Sequence, residues 1–164
     1  MHLLLVTQKL DSRDPILGFF HAWVAEFAKS CDSVTVIAQQ VRKTHLPPNV
    51  HVFSLGKERG TRPVLQVLRF WTLQWRLRHA DVALVHMVPL WIVLGWPLWM
   101  LLRVPMYLWY EARGTRWPLY VALLFVRKVF SASVAGMPLA TQKNVVTGHG
   151  IDVTRFVPGS GERA

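Results

Sequence analysis

Residues 7–20 read TQKLDSRDPILGFF, a polar loop that carries Asp14 and ends on Gly18 just where an amphipathic run begins. A glycine at a helix start lets free backbone N–H groups come close to a phosphate, and it serves equally well as a plain helix cap. The spacing is neither GxGxxG nor GxxxxGK[ST], which gives no support to a nicotinamide-cofactor enzyme or a nucleoside triphosphate hydrolase. His86 closes the apolar run VALVH, where a lone histidine is either a satisfied structural group or an acid–base group. In YEARGTRW, residues 110–117, Glu111, Arg113 and Arg116 leave an apolar run together and could grip an anionic or hydroxylated ligand, or simply form a charged loop. In GHGID, Gly148 and Gly150 bracket His149 ahead of Asp152, and a backbone turn is their first-order role.

The nine acidic residues are widely spread, and no pair of them reads as the acid and base of a hydrolase. No nucleophile motif orders the serines and histidines, and the histidines lack metal-ligand spacing, so no metal and no catalytic residue is assigned. Nineteen lysines and arginines against those nine acids give a net charge of +10, which draws the surface towards anions: phosphate, nucleic acid or an acidic membrane face. No nucleic-acid recognition motif accompanies the charge, so nucleic acid is not expected as a partner. The single Cys31 cannot form an internal disulfide and fits a reduced, cytoplasmic compartment. The opening MHLLLV has no basic flank and its apolar run is too short for a signal peptide.

The elements that must position these residues are legible as a pattern. A chain of 164 residues makes one domain. Seven short apolar runs, at residues 3–7, 34–38, 50–55, 82–86, 106–110, 129–133 and 144–148, are mostly continuous, as in strands buried on both faces. With helical stretches between them they predict a doubly wound α/β fold: a mostly parallel, Rossmann-like sheet of about seven strands with helices on both faces. Residues 18–30 place Phe19, Phe20, Trp23, Val24 and Phe27 on one apolar face with Glu26 and Lys29 outside. Between residues 62 and 78, Leu65, Leu68, Trp71 and Trp75 form an apolar stripe. Arg62, Arg69 and Arg76 fall on another face within about 40°. That basic ridge is a candidate for contact with anionic lipid, or a solvated face whose arginine stems cover apolar surface. Residues 117–128 predict a helix ending in Arg127 and Lys128. Residues 82–102 contain no Asp, Glu, Lys or Arg and are long enough to span a bilayer. Pro89, Gly95 and Pro97 favour instead a buried strand, a turn, and an apolar helix whose outer face touches lipid.

The order of these pieces resembles the N-terminal half of GT-B glycosyltransferases of the family-4 type. The matching stretches are LLVTQKLDSRDPILGFFHAWVAEFAKSCDSVTVIA, then VHVFSLGKE, DVALVHMVP, YLWYEARG, VRKVFSAS and VVTGHGIDVTRFVP. The resemblance covers residues 1–158. It implies a retaining transfer of a sugar from a nucleotide-sugar to an acceptor hydroxyl, with no metal or other cofactor. The acceptor would be a lipid-linked or envelope glycan.

Residues 1–158 would then be the acceptor-side Rossmann-like domain. Residues 159–164 would begin a linker to a C-terminal donor domain that lies outside the sequence, leaving this chain inactive unless a donor domain or second chain joins it. Gly18 matches the loop glycine near the donor phosphates, with His21 following on the helix. Asp14, His86, Glu111 and Arg113 would line the acceptor cleft, and Gly148, Gly150 and Asp152 would form the interdomain passage. Arg62, Arg69 and Arg76 would face the inner surface of the membrane, making the protein cytoplasmic and peripheral. Two departures stand out: Leu17 precedes Gly18 where many relatives carry a second glycine, and Ala112 stands where similar sequences place a histidine. The second departure implies an altered or inactive transfer step. A rival expectation is a non-catalytic α/β module that binds a membrane or a partner through exposed tryptophans.

Overall fold

A computed structural model describes residues 1–148 and residue 150. Seven strands form one sheet: β1 (His2–Leu10), β2 (Ser33–Val41), β3 (Val50–Ser54), β4 (Val82–His86), β5 (Met106–Trp109), β6 (Lys128–Ser131) and β7 (Asn144–Val146). Their order is β3-β2-β1-β4-β5-β6-β7, and every neighbouring pair is parallel. All seven carboxyl ends therefore lie along one rim, and the order reverses between β1 and β4. The expected α/β fold is the observed one.

Among the described residues four α-helices cover the sheet: α1 (Gly18–Ser30), α2 (Pro63–Arg76), α3 (Leu90–Leu101) and α4 (Trp117–Phe125). Alternation along β1 splits the core in two. Leu4 and Val6 face a cluster that takes in Phe70 of α2, Trp91, Ile92 and Trp99 of α3, and Leu119 and Ala122 of α4. Leu3 and Leu5 face Phe20, Val24 and Ala28 of α1 together with Val34 and Val36 of β2. Three helices thus lie on one face and α1 on the other. Between β2 and β3 the chain crosses without a helix over residues 42–49, where Pro47 and Pro48 remove the amide donors a helix needs. Asn49 anchors that crossover by donating its Nδ2 to Ala28 O (2.8 Å) and Cys31 O (3.1 Å).

Two sequence expectations are corrected here. The helix expected over 117–128 stops at Phe125: Val126 is already extended, and Lys128 opens β6 by pairing with Tyr107. The charges of Arg127 and Lys128 therefore do not cap a helix. In α2, whose facing the sequence left open, the apolar stripe turns away from the sheet. Gln66, Phe70 and Gln74 are buried, while Leu65, Leu68 and Trp71 are each 49% exposed and Trp75 is 61% exposed. In α1 the inward row is Phe20, Val24 and Ala28, while Phe19 is exposed and Trp23 and Phe27 are half-buried. Residues 82–102 resolve into β4, a turn and α3; no described helix is long and apolar enough to cross a membrane.

Candidate functional site

The rim at the β1/β4 switch point is where loops and helix starts converge, the usual ligand position in open parallel sheets. Two cavities open there, one on each side of β1. The larger, about 570 Å³, lies on the α2–α4 side and is lined by Gln8, Gln39, Met87, Tyr110, Ala112, Thr115, Arg116 and the first turns of α3 and α4. The smaller, about 410 Å³, lies on the α1 side between the β1–α1 loop and the end of β2, lined by Lys9, Asp11, Arg13, Asp14, Arg42 and Lys43.

The larger cavity mixes apolar walls with amides, a phenol and one guanidinium, a lining suited to a hydroxylated ligand. Gln39 donates weakly to Gln66 Oε1 (3.4 Å), and Gln66 is fixed by donating to Thr61 O (2.7 Å). The Tyr110 hydroxyl donates to Gly114 O (3.2 Å), steadying the loop that carries Arg113 and Arg116. Met87 adopts φ 65° and donates its N–H to Trp109 O (2.8 Å), turning the chain sharply between β4 and α3. A non-glycine residue held in the left-handed region next to a cavity is a common mark of a functional rim.

Asp14 organises the β1–α1 loop. Its Oδ1 accepts from the amides of Ile16 (2.9 Å) and Leu17 (2.6 Å), and its Oδ2 pairs with Lys9. The Lys9 bond, followed by those two amides, lowers its carboxyl to a pKa of about 2. Gly18 donates its N–H to Asp14 O (3.0 Å), and a Cβ placed on Gly18 would meet Ser12 O at an ordinary 3.4 Å. His21, one turn further, accepts a bond from His45 N (3.0 Å) in the β2–β3 crossover; burial lowers its pKa first, with His45 adding to it.

His86 is fully buried, its Nδ1 3.1 Å from Thr7 Oγ1 and its Nε2 without a partner among the described residues. Its ring stacks on Phe20 with centroids 4.0 Å apart and sits 5.2 Å from Trp109 and 6.2 Å from Trp23. Desolvation in that aromatic setting pushes its pKa down to about 3. The imidazole is neutral at physiological pH and lines neither cavity.

Glu111 turns inward: it accepts from Ala132 N (2.8 Å) and Ser133 Oγ (3.0 Å), fastening the β6–β7 connection, and Gly136 lies directly against its carboxyl. Arg113 is exposed and makes no ion pair with Glu111. Gly148 has φ 73°, and Gly150 O accepts from Trp23 Nε1 (3.3 Å); Asp152 lies outside the described residues. All three arginines of the basic ridge are exposed, and Arg69 also donates to Leu55 O (3.0 Å) and Thr61 Oγ1 (3.1 Å). The rim thus gathers Asp14 and Gly18 at one loop and flanks Arg113 with cavity-lining Ala112 and Gly114. Arg69 and Arg76 lie on α2, at its middle and end, and Arg62 caps its start.

Gln8 and Gln39 escaped the sequence reading. The available signal was two polar residues at matching depth near the ends of adjacent apolar strands, between the paired positions Thr7↔Ala38 and Lys9↔Gln40.

No protein-family model matches the chain, and no curated protein matches it. Solved structures do. HepE from Anabaena, in a complex with UDP, superposes with a TM-score of 0.59 at 17% identity, over 94% of this chain and 45% of HepE. MurG from Acinetobacter baumannii gives 0.59 at 12% identity, over 89% of this chain and 45% of MurG. The UDP-GlcNAc 2-epimerase from Methanocaldococcus jannaschii gives 0.53 at 10% identity, over 89% and 45%. The chain therefore spans a little under half the length of the proteins it superposes on. At these identities the likeness is one of fold, and that fold is GT-B-like.

Proposed function

We propose that this chain is the acceptor-side half of a retaining, family-4-type glycosyltransferase that moves a sugar from a nucleotide-sugar to a lipid-linked or envelope glycan. In this reading the 570 Å³ cavity between the starts of α3 and α4 takes the acceptor. The donor lies across the rim near Gly18, gripped chiefly by a second α/β domain or chain, and this half transfers nothing alone. The observation that carries the reading is a polar-apolar cavity at the β1/β4 switch point of a GT-B-like sheet. The Anabaena neighbour was captured with UDP and, separately, with UDP-glucose, which supports a nucleotide-sugar as the donor class. No metal enters the scheme: backbone N–H groups and arginines would stabilise the departing diphosphate, and holding both substrates in one cleft lowers the entropic barrier. Asp14 and Glu111 act in it as organisers of their loops, through the bonds that already occupy their carboxylates.

The same proposal places the chain at the inner face of an anionic membrane. The α2–α4 layer supports this: α3 and α4 carry no charged residue, and Leu68, Trp75, Leu101, Tyr120 and Leu124 are all about half exposed or more. Arg62, Arg76, Arg78 and Arg103 stand exposed beside it, with Arg78 over the Trp75 ring at 6.0 Å. Tryptophans and arginines around an apolar face suit an interface with acidic lipid.

The test is an NMR titration of the labelled chain with UDP-glucose and, separately, with a detergent-solubilised lipid-linked sugar. The proposal expects the glycolipid to shift signals at Gln8, Gln39 and residues 110–116, UDP-glucose to shift those of the β1–α1 loop, and no transfer by the chain alone. Silence with both ligands, combined with binding to liposomes, would instead support the non-catalytic membrane module that the exposed apolar layer also favours.

A further inference from the structure

We propose that the exposed stripe Trp117, Tyr120 and Leu124 on α4 is a tail subsite: it holds the apolar chain of an anionic amphiphile whose charged group sits at Arg116, in the mouth of the larger cavity. The inference rests on the reading of that cavity as the acceptor site. It narrows the acceptor to a molecule with sugar, charge and tail in that order.

The helix is pinned so that the stripe faces out. Leu119 and Ala122 are buried in the core, and Phe125 stacks on Trp96 of α3 with centroids 4.3 Å apart and planes 5° apart. Trp117, Tyr120 and Leu124 then fall within about 60° of one another on the opposite face, where they are 63%, 53% and 73% exposed. No charged residue interrupts α4.

The stripe begins where the cavity opens. Thr115 and Arg116, which directly precede α4, line the cavity together with Pro118 and Leu119 of its first turn. Tyr120 reaches back to donate its hydroxyl weakly to Thr115 Oγ1 (3.4 Å), which carries its ring towards the mouth. From Trp117 to Leu124 the helix rises about 10 Å, close to the reach of an octyl chain. Inside the cavity Gln8 and Gln39 offer amides to hydroxyls, while Arg116 is its one cation and no carboxylate lines it among the described residues. Arg116 is exposed and forms no ion pair with a described residue, so its charge is available. Amides inside, a cation at the lip and an uncharged stripe beyond it match an amphiphile entering head first. The α2 stripe lacks that order, because Leu65 and Leu68 border a separate hollow with Arg69 and Arg76.

Calorimetric titrations of the 164-residue chain with octyl phosphate and methyl phosphate, below micelle-forming concentrations, isolate the tail from bilayers and from the identity of the sugar. Octyl phosphate should bind the wild type at least tenfold more tightly than methyl phosphate. That gain should vanish in Tyr120→Ser/Leu124→Ser and persist in Leu65→Ser/Leu68→Ser, which strips apolar surface from α2 instead. Arg116→Gln should weaken octyl phosphate about tenfold and leave the binding of neutral octyl glucoside unchanged. Equal affinity for the two phosphates, a gain that survives in the α4 variant, or a gain lost equally in the α2 variant overturns the tail subsite. Failure of the acceptor reading has a different signature: the octyl gain as expected but no glycan response at Gln8 or Gln39, which keeps the subsite for another anionic amphiphile. Circular-dichroism melts check that every variant is folded, and Tyr120→Gln/Leu124→Gln repeats the α4 test with a residue that favours helix.

Discussion

The imidazole of His86 lies nearly parallel to the ring of Phe20, 18° apart in plane and 4.0 Å between centroids, with no water-exposed edge. A charged imidazolium there would lose its hydration, so the folded state keeps the ring neutral down to about pH 3 while the unfolded chain takes up a proton near pH 6.5. The folded state binds fewer protons, and stability is therefore full above about pH 6.5 and falls as pH drops towards 3. The expected slope is about a tenfold loss in the folded-to-unfolded ratio per pH unit. Urea melts between pH 7 and 5, above the range where carboxylates titrate, would measure it. The His86→Leu variant should be markedly flatter, with His2 and His21, also lowered by burial, leaving a smaller residual slope.

Gln74 is buried on α2, and among the described residues neither its Oε1 nor its Nε2 has a hydrogen-bond partner, nor does Trp91 Nε1. Leaving polar atoms dry costs more than the side chain's packing returns. Gln74→Leu should raise stability by about 1–2 kcal/mol in a denaturant melt, with the same far-ultraviolet spectrum. A drop in stability would mean that the amide is satisfied in solution, for instance by a buried water.

Glu111 and Gly136 form a packed pair in which a methyl group on Gly136 would overlap the carboxyl group. Gly136→Ala should cost about 1–3 kcal/mol. In the Glu111→Ala background the same substitution should cost far less, because the space has opened. A double-mutant cycle checks this: additive costs would show that the two do not touch.

Much of this architecture could be read in advance, and the failures have physical causes. Continuous apolar runs such as LLLV and VALV identified the strands, because parallel strands buried on both faces need no alternation. The Gly18–Ser30 helix was found to the residue from its 3.6-residue pattern. The orientation of α2 was left open, because its spacing gives an apolar stripe and a basic ridge without saying which side packs inward, and the structure buries Gln66 and Gln74 while Leu68 and Trp75 stay exposed. At the site, the polar loops were visible as charged residues following apolar runs. Whether a carboxylate faces a ligand or a backbone amide depends on three-dimensional pairing, as Glu111 with Ala132 N illustrates, and no spacing rule encodes that.

The outward orientation of that α2 stripe makes a further prediction about lipid. Trp75→Glu with Leu101→Glu removes two side chains that are 61% and 75% exposed and places acid among the arginines. Co-sedimentation with liposomes rich in acidic lipid should fall about tenfold or more, and wild-type binding should weaken when the acidic lipid is replaced by neutral lipid or salt is raised. Indifference to lipid charge would remove the membrane from the account.

Gly18 offers a clean probe of the donor side. Because an added Cβ meets Ser12 O only at ordinary contact distance, Gly18→Ala should fold with its melting temperature little changed. Weaker UDP-glucose binding in that folded variant would then report the close approach of a ligand to the loop. Unchanged binding would move the donor elsewhere.

The central claim is that the cavity between Gln8, Gln39 and Tyr110 receives a glycan hydroxyl acceptor. The most direct measurement is the affinity of the chain for a detergent-solubilised lipid-linked sugar, compared between wild type and Gln8→Leu/Gln39→Leu, by NMR titration. The account predicts binding to the wild type, with shifts centred on residues 110–116, and at least a tenfold loss in the double variant. Binding of equal strength in both proteins, or shifts confined to the opposite edge of the sheet, would contradict it.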